Sequence, residues 1–170
     1  SHILSNINSF TDLFLDVHLM IDDPQKYAQS FIDAGADLIT FHLETCSSHE
    51  EAVELIDHLH AQGVKVGVTL RPSSDYHRFE PYLAMVDLVL VMSVEPGFGG
   101  QAFMPSSLNV MDWLAQIRTQ QKLSFLIEVD GGINAATAKD ALAHHTDVFV
   151  AGSYIFKDNI AEAINALWAL

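Results

Sequence analysis

Six short apolar runs alternate with longer helix-like segments along the 170 residues, and this alternation limits the possible fold more than any other feature. Strands and helices in strict alternation are typical of βαβ units and a parallel sheet. The sequence therefore predicts an α/β protein that forms a single domain over residues 1–170. The predicted strands are 13–19, 37–42, 64–70, 87–94, 124–130 and 147–151, and the predicted helices are 24–34, 50–62, 79–85, 107–121, 135–144 and 159–170.

The positions of polar residues within the runs distinguish a barrel from an open sheet. Successive side chains of a strand point to opposite faces. In the first run, Asp16 and His18 share one face, and the opposite face is apolar. In the fifth run, Glu128 and Asp130 share a face in the same way. A doubly wound sheet is apolar on both faces, whereas a barrel interior carries its functional polar groups at the C-terminal mouth.

We therefore predict a (β/α)₈ TIM barrel. Such barrels take about 200 to 250 residues, so six βα units in 170 residues predict an N-terminally incomplete barrel. An open barrel exposes strand edges and apolar faces that the missing units would cover. We expect the chain to form a homo-oligomer or to recruit a partner.

Three glycine-rich loops follow the predicted strand ends and suggest an anion site. Glycines leave the backbone N–H groups accessible, and loops after the last two strands of such barrels commonly bind phosphate. Tight turns that serve only the fold are the alternative explanation. The predicted phosphate-binding residues are Gly97, Phe98, Gly99 and Gly100 in the first loop, Gly131 and Gly132 in the second, and Gly152 and Ser153 in the third.

Four side chains at the predicted mouth could take part in chemistry. His18 and Asp130 offer an imidazole and a carboxylate, which suit Zn²⁺, Fe²⁺ or Mn²⁺, although a hydrogen-bonded barrel histidine explains His18 equally well. His42 either contacts the substrate or packs structurally. Met92 either fills the core or lines the reacting centre. Structural hydrogen bonding is the expected role of the deeper acids Asp16 and Glu128.

Charge and cysteine content narrow the partners. A net charge of −14 with only 8 Lys and Arg residues excludes nucleic acid and anionic membranes as expected partners. A phosphorylated substrate would then be held by backbone amides. No apolar run is long enough to span a bilayer, and the single Cys46 fits a reducing cytoplasm, where we expect the protein to be located.

Taken together, these motifs resemble the ribulose-phosphate 3-epimerase family. The similarity runs from about residue 13 to the C-terminus, and the motifs of its sixth and seventh strands are highly specific. The matching segments are LDVHLM at 15–20, AGAD at 34–37, FHLE at 41–44, VMSVEPGFGGQ at 91–101, EVDGGIN at 128–134 and VAGS at 150–153.

The resemblance implies epimerisation at C3 between D-ribulose 5-phosphate and D-xylulose 5-phosphate through an enediolate. It makes His18 and Asp130 ligands of one divalent metal ion, with Zn²⁺ expected first and Fe²⁺, Mn²⁺ or Co²⁺ as alternatives. Asp130 is also one of two carboxylates that exchange the C3 proton. His18, His42 and Met92 would contact the substrate, and the three glycine loops would hold its phosphate.

The sequence departs from the family in one respect. The family's second strand carries a His-x-Asp-x-Met-Asp-Gly motif that supplies two more metal ligands and the opposing carboxylate, and these 170 residues contain no such motif. We therefore expect the chain alone to be inactive and a parent protein that carries the motif to be active. The alternatives are a hexulose-6-phosphate 3-epimerase and a non-catalytic, phosphate-binding barrel remnant.

Overall fold

A parallel six-stranded sheet, curled into a half-barrel, forms the centre of the computed structural model, which describes residues 2–97 and 100–170. Each strand pairs in parallel with the next one in sequence. This arrangement confirms the predicted α/β class and the incomplete barrel. The strands are β1 (Asp16–Leu19), β2 (Leu38–His42), β3 (Lys65–Leu70), β4 (Leu88–Met92), β5 (Leu126–Asp130) and β6 (Val148–Val150).

Helices follow the strands and cover the outer face of the sheet. The helices are α1 (His2–Asn8), α2 (Pro24–Ile32), α3 (His49–Ala61), α4 (Ser107–Gln121), α5 (Ala135–Ala143), α6 (Gly152–Phe156) and α7 (Ile160–Trp168).

The predicted helix at 79–85 is wrong. The chain instead forms a 3₁₀ helix at Tyr76–Tyr82, which begins where the Asp75 carboxylate accepts a hydrogen bond from the His77 N–H. Pro81 lies inside this segment and has no N–H to donate to an α-helical partner. A short 3₁₀ helix tolerates this loss better than a full α-helix does.

Alternating side chains divide the apolar residues between two layers. Ile39 and Phe41 of β2 are buried between the sheet and the helices. Leu38, Leu88 and Leu90 form a separate cluster on the concave side. The polar residues of β1 and β5 occupy the concave positions, since His18 pairs with Thr40 and Glu128 with Leu90. The face assignment made from the sequence is therefore confirmed for these strands.

Strands β1 and β6 form the two edges of the sheet. Large apolar side chains are exposed next to both edges, including Phe10 and Phe14 before β1 and Phe156 and Trp168 after β6. Among the described residues, no helix combines the length and apolar character that crossing a membrane requires.

Candidate active site

A cavity of about 410 Å³ opens at the C-terminal ends of β4, β5 and β6. It brings together most of the residues that the sequence singled out, whereas Phe98 and Gly99 lie outside the described residues. A larger cavity of about 720 Å³ also touches Gly100, Gly132 and Ser153, but neither Asp130 nor Met92 lines it. The predicted residues that line the 410 Å³ cavity are Met92, Gly97, Gly100, Asp130, Gly131, Gly132, Gly152 and Ser153.

A smaller adjoining cavity of about 200 Å³ contains His42. Met20 and Met92 line both cavities, so their thioethers lie between the histidine side and the carboxylate side of the mouth. Apolar side chains at this point exclude water from a reacting centre, which the alternative of simple core filling does not require. Met20 is 67% exposed, which is unusual for core filler.

His18 lines neither cavity and instead contacts His42. The two Nε2 atoms are 2.9 Å apart, and the rings stack with their centroids 5.0 Å apart. Burial, followed by the proximity of His42, lowers the pKa of His18 to about 4, so its imidazole is neutral at pH 7. The Nδ1 atom of His18 is buried and has no hydrogen-bond partner among the described residues.

Glu44 lies next to this histidine pair, and sequence reasoning gave it no role of its own. It belongs to a 3₁₀ turn, Leu43–Thr45, that follows β2 directly. Its Oε1 accepts hydrogen bonds from the Arg71 N–H at 2.8 Å and from the Ser74 hydroxyl at 2.6 Å. Burial alone would raise the pKa of Glu44, but His42 and these two donors lower it to about 2. Glu44 is therefore a carboxylate at neutral pH.

Asp130 ends β5, paired with Met92 on one side and Val150 on the other. Ser93 fixes the backbone at this point, because its N–H and hydroxyl both donate to the Asp130 carbonyl, at 2.9 and 3.0 Å. The same hydroxyl lies 2.7 Å from the Gly131 carbonyl. Burial raises the pKa of Asp130, which makes its carboxylate a stronger proton acceptor than an exposed aspartate. Ser93 was missed because a serine after a strand carries no distinguishing pattern.

The two deeper acids are hydrogen-bonded to each other, as expected. Asp16 and Glu128 face one another across the concave side, and Glu128 is almost fully buried. Burial raises the pKa of both groups, and the nearby charges of Asp16 and Asp130 add to the effect on Glu128, whose pKa reaches about 8. One proton shared between the two acids holds β1 to β5.

The glycines differ in what surrounds them. A Cβ on Gly132 would lie 2.3 Å from the Phe103 backbone nitrogen, and one on Gly131 would lie 2.7 Å from the Val94 side chain. Both residues also have positive φ angles, so close packing alone requires glycine at these two positions. A methyl group added at Gly97, Gly100 or Gly152 would have no atom within 4 Å, so these three residues border open space.

Among the described residues, no three His, Cys, Asp or Glu side chains are grouped as a metal site. The two predicted ligands do not fail the chemical test, however. His18 offers a buried, unpartnered nitrogen on a neutral ring, and Asp130 offers a half-buried carboxylate that lines the cavity. Both are donors that a divalent ion could use.

Solved structures with a similar fold include enzymes of the TIM-barrel type. A 3-keto-L-gulonate-6-phosphate decarboxylase from Vibrio cholerae matches with a TM-score of 0.76 and 14% identity, over 99% of this chain and 77% of that one. The KGPDC of Streptococcus mutans, solved in complex with ribose 5-phosphate, matches with a TM-score of 0.74 and 19% identity over the same shares. Likeness at this level of identity establishes the fold alone.

Sequence similarity is more specific. The ribulose-phosphate 3-epimerase of Treponema pallidum is 41% identical over 158 residues, which are 93% of this chain and 71% of that protein. The Bacillus subtilis enzyme of the same name is 40% identical over 155 residues, covering 91% of this chain and 70% of its own length. The family model for ribulose-phosphate 3-epimerases matches residues 1–156. With its strand-end motifs gathered around one cavity, the chain belongs to the ribulose-phosphate 3-epimerase family.

Proposed function

We propose that the protein carrying this chain interconverts D-ribulose 5-phosphate and D-xylulose 5-phosphate by moving a proton at C3 through an enediolate. The observation that carries the proposal is a single cavity in which the Asp130 carboxyl faces backbone from three glycine-containing loops. The family relationship supports the same class of reaction.

The phosphate would be held by backbone amides. The described lining of the 410 Å³ cavity contains no lysine or arginine, and the chain carries a net charge of −14. Gly97, Gly100 and Gly152 border open space, where an anion can approach the backbone closely. Gly131 and Gly132 would support this site by packing, because their own Cβ positions are already filled by neighbouring chain.

Asp130 would act as one of the two proton carriers. The C2 ketone acidifies the C3 proton, and the Asp130 carboxylate removes it to leave an enediolate. Epimerisation then requires a second acid on the opposite face of the sugar, which returns a proton to C3. By resemblance to the family, that acid belongs to the His-x-Asp-x-Met-Asp-Gly motif, which these 170 residues do not contain.

His18 and Asp130 would hold one divalent ion, with Zn²⁺ proposed first. The ion would supply Lewis-acid stabilisation of negative charge on the substrate oxygens. The neutral ring of His18 and its unpartnered Nδ1 support this assignment. His42 and Met92 would line the substrate on the histidine side of the mouth.

Asp130→Asn in the full natural protein tests the proposal. Loss of the proton acceptor should lower kcat for ribulose 5-phosphate by about 10² to 10⁴, the range for a general base. Asp57→Asn, the same change on the exposed face of α3, should leave kcat unchanged. Asp130→Asn with wild-type kcat would refute the assigned role.

Two further measurements separate the alternatives. A parallel assay with a hexulose 6-phosphate identifies the substrate length, and the proposal requires the pentulose to react faster. Metal analysis of the active protein should give about one divalent ion per chain. Protein that binds phosphate but holds no metal and turns over neither sugar would be the non-catalytic remnant.

A further inference from the structure

Three polar side chains form a continuous buried chain beneath the histidine side of the mouth. Glu44 faces His42, and His42 contacts His18 through the two Nε2 atoms, 2.9 Å apart. The side chains of His42 and Glu44 are 14% and 16% exposed. Because water has little access, each polar atom in the chain must find its partner within the protein.

One carboxylate oxygen of Glu44 is anchored and the other is directed at the histidines. Oε1 receives the Arg71 N–H and the Ser74 hydroxyl. Oε2 lies 3.6 Å from Nδ1 of His42, and both atoms are buried without another partner among the described residues. This distance exceeds that of a hydrogen bond, and a shift of about 0.7 Å would bring it to the usual value of about 2.9 Å.

The carboxylate determines where the imidazole protons lie. A carboxylate can only accept, so the neutral ring of His42 must carry its proton on Nδ1 when it faces Oε2. Its Nε2 is then a lone pair and can only accept from His18. His18 therefore carries its proton on Nε2, and its lone pair is on Nδ1, which is the buried atom without a partner among the described residues.

We infer that Glu44 is a positioning residue which, through His42, sets the tautomer of His18 so that Nδ1 of His18 is free to bind a divalent cation. The inference rests on the proposed role of His18 as a metal ligand. Without a carboxylate next to His42, the opposite pair of tautomers satisfies the same Nε2–Nε2 contact. That pair places a proton on Nδ1 of His18 and blocks it as a ligand. Groups that orient a ligating histidine in this way typically contribute about 10- to 100-fold to metal affinity.

Glu44→Gln is the decisive substitution. The amide oxygen can keep both bonds to Arg71 and Ser74, and the NH₂ group then faces His42 as a donor. The proton order along the chain is thereby reversed while the packing is retained. Glu50→Gln makes the same chemical change at an exposed position in the first turn of α3 and serves as the control.

The primary readout is ¹⁵N NMR of the imidazoles in the full natural protein stripped of metal, with His18 and His42 assigned by single substitutions. We expect the Nε2–H tautomer for His18 in wild type and in Glu50→Gln, and the Nδ1–H tautomer in Glu44→Gln. Titration with Zn²⁺ or Co²⁺ should show an affinity about 10 to 100 times lower for Glu44→Gln alone.

Each contrary result identifies what is wrong. A proton on Nδ1 of His18 in wild type overturns the inference even if Glu44→Gln fails to fold. Unchanged tautomers or unchanged metal affinity in Glu44→Gln also overturn it. Failure of the proposed function shows differently, as an active Asp130→Asn variant in a protein whose His18 still has the expected tautomer.

Discussion

Gly132→Ala should destabilise the protein strongly, whereas Gly152→Ala should not, although both glycines border the same cavity. Gly132 has a φ of +63°, and a methyl group there would lie 2.3 Å from the Phe103 nitrogen and 2.9 Å from the Ala102 carbonyl carbon. These are backbone atoms that cannot rotate away. Gly152 has no positive φ, and a methyl group there would have no atom within 4 Å.

The magnitude combines two costs. A left-handed conformation costs a non-glycine residue about 1 to 2 kcal/mol, and overpacking by one methyl group costs about 1 to 3 kcal/mol. For a chain of this size each kcal/mol lowers Tm by about 2 to 4 °C, so a loss of about 3 kcal/mol predicts a fall of about 6 to 12 °C.

Thermal unfolding followed by circular dichroism measures the two variants against wild type. Gly152→Ala should unfold within about 2 °C of wild type, which corresponds to less than about 1 kcal/mol. It should nevertheless show a raised KM, because its methyl group enters the space proposed for the phosphate. Gly132→Ala with a wild-type Tm would show that the 102–103 segment does not pack on Gly132. The close-packing argument for the Gly131-Gly132 pair would then be refuted.

Two further predictions concern groups near the histidine side. Thr40→Val should raise Tm by about 2 to 4 °C, because the buried Thr40 hydroxyl has no hydrogen-bond partner among the described residues and such a group costs about 1 kcal/mol or more; an equal fall would reveal a partner. The pKa of Glu44 falls from 4.5 to about 2 on folding, so its carboxylate stabilises the fold above pH 4.5, and this contribution is lost as the pH falls towards 2. Urea unfolding should therefore show a penalty for Glu44→Gln at neutral pH that shrinks as the pH approaches 2, and a constant penalty would contradict the ion's role.

The parts of the fold predicted from the sequence depend on local periodicity. The helix Ser107–Gln121 has the predicted bounds, and the face assignment of Asp130 follows from side-chain alternation alone. The predicted helix at 79–85 failed because Pro81 interrupts an otherwise apolar pattern. Periodicity shows which face is buried, but it does not show which hydrogen-bond pattern a short segment adopts.

The parts of the site that could not be predicted depend on contacts between distant loops. Glu44 and Ser74 are 30 residues apart and meet only because β2 and β3 are neighbours. Ser93 reaches across to the end of β5 in the same way. Pairing order and register must be known before such bonds can be inferred, and neither is encoded in the local pattern.

The two halves of the mouth have different chemistry and depend on different strands. The histidine chain is built by β1, β2 and the loop after β3, and the edge strand β1 gains support at its C-terminal end from the contact between His18 and His42. The carboxylate and the glycine loops are built by β4, β5 and β6. The described residues that line both cavities are all apolar, so no charged or hydrogen-bonding side chain among them links the two halves. Perturbations should therefore be separable. A change at Glu44 should alter metal affinity and leave phosphate binding intact, while a change at Gly152 should do the reverse.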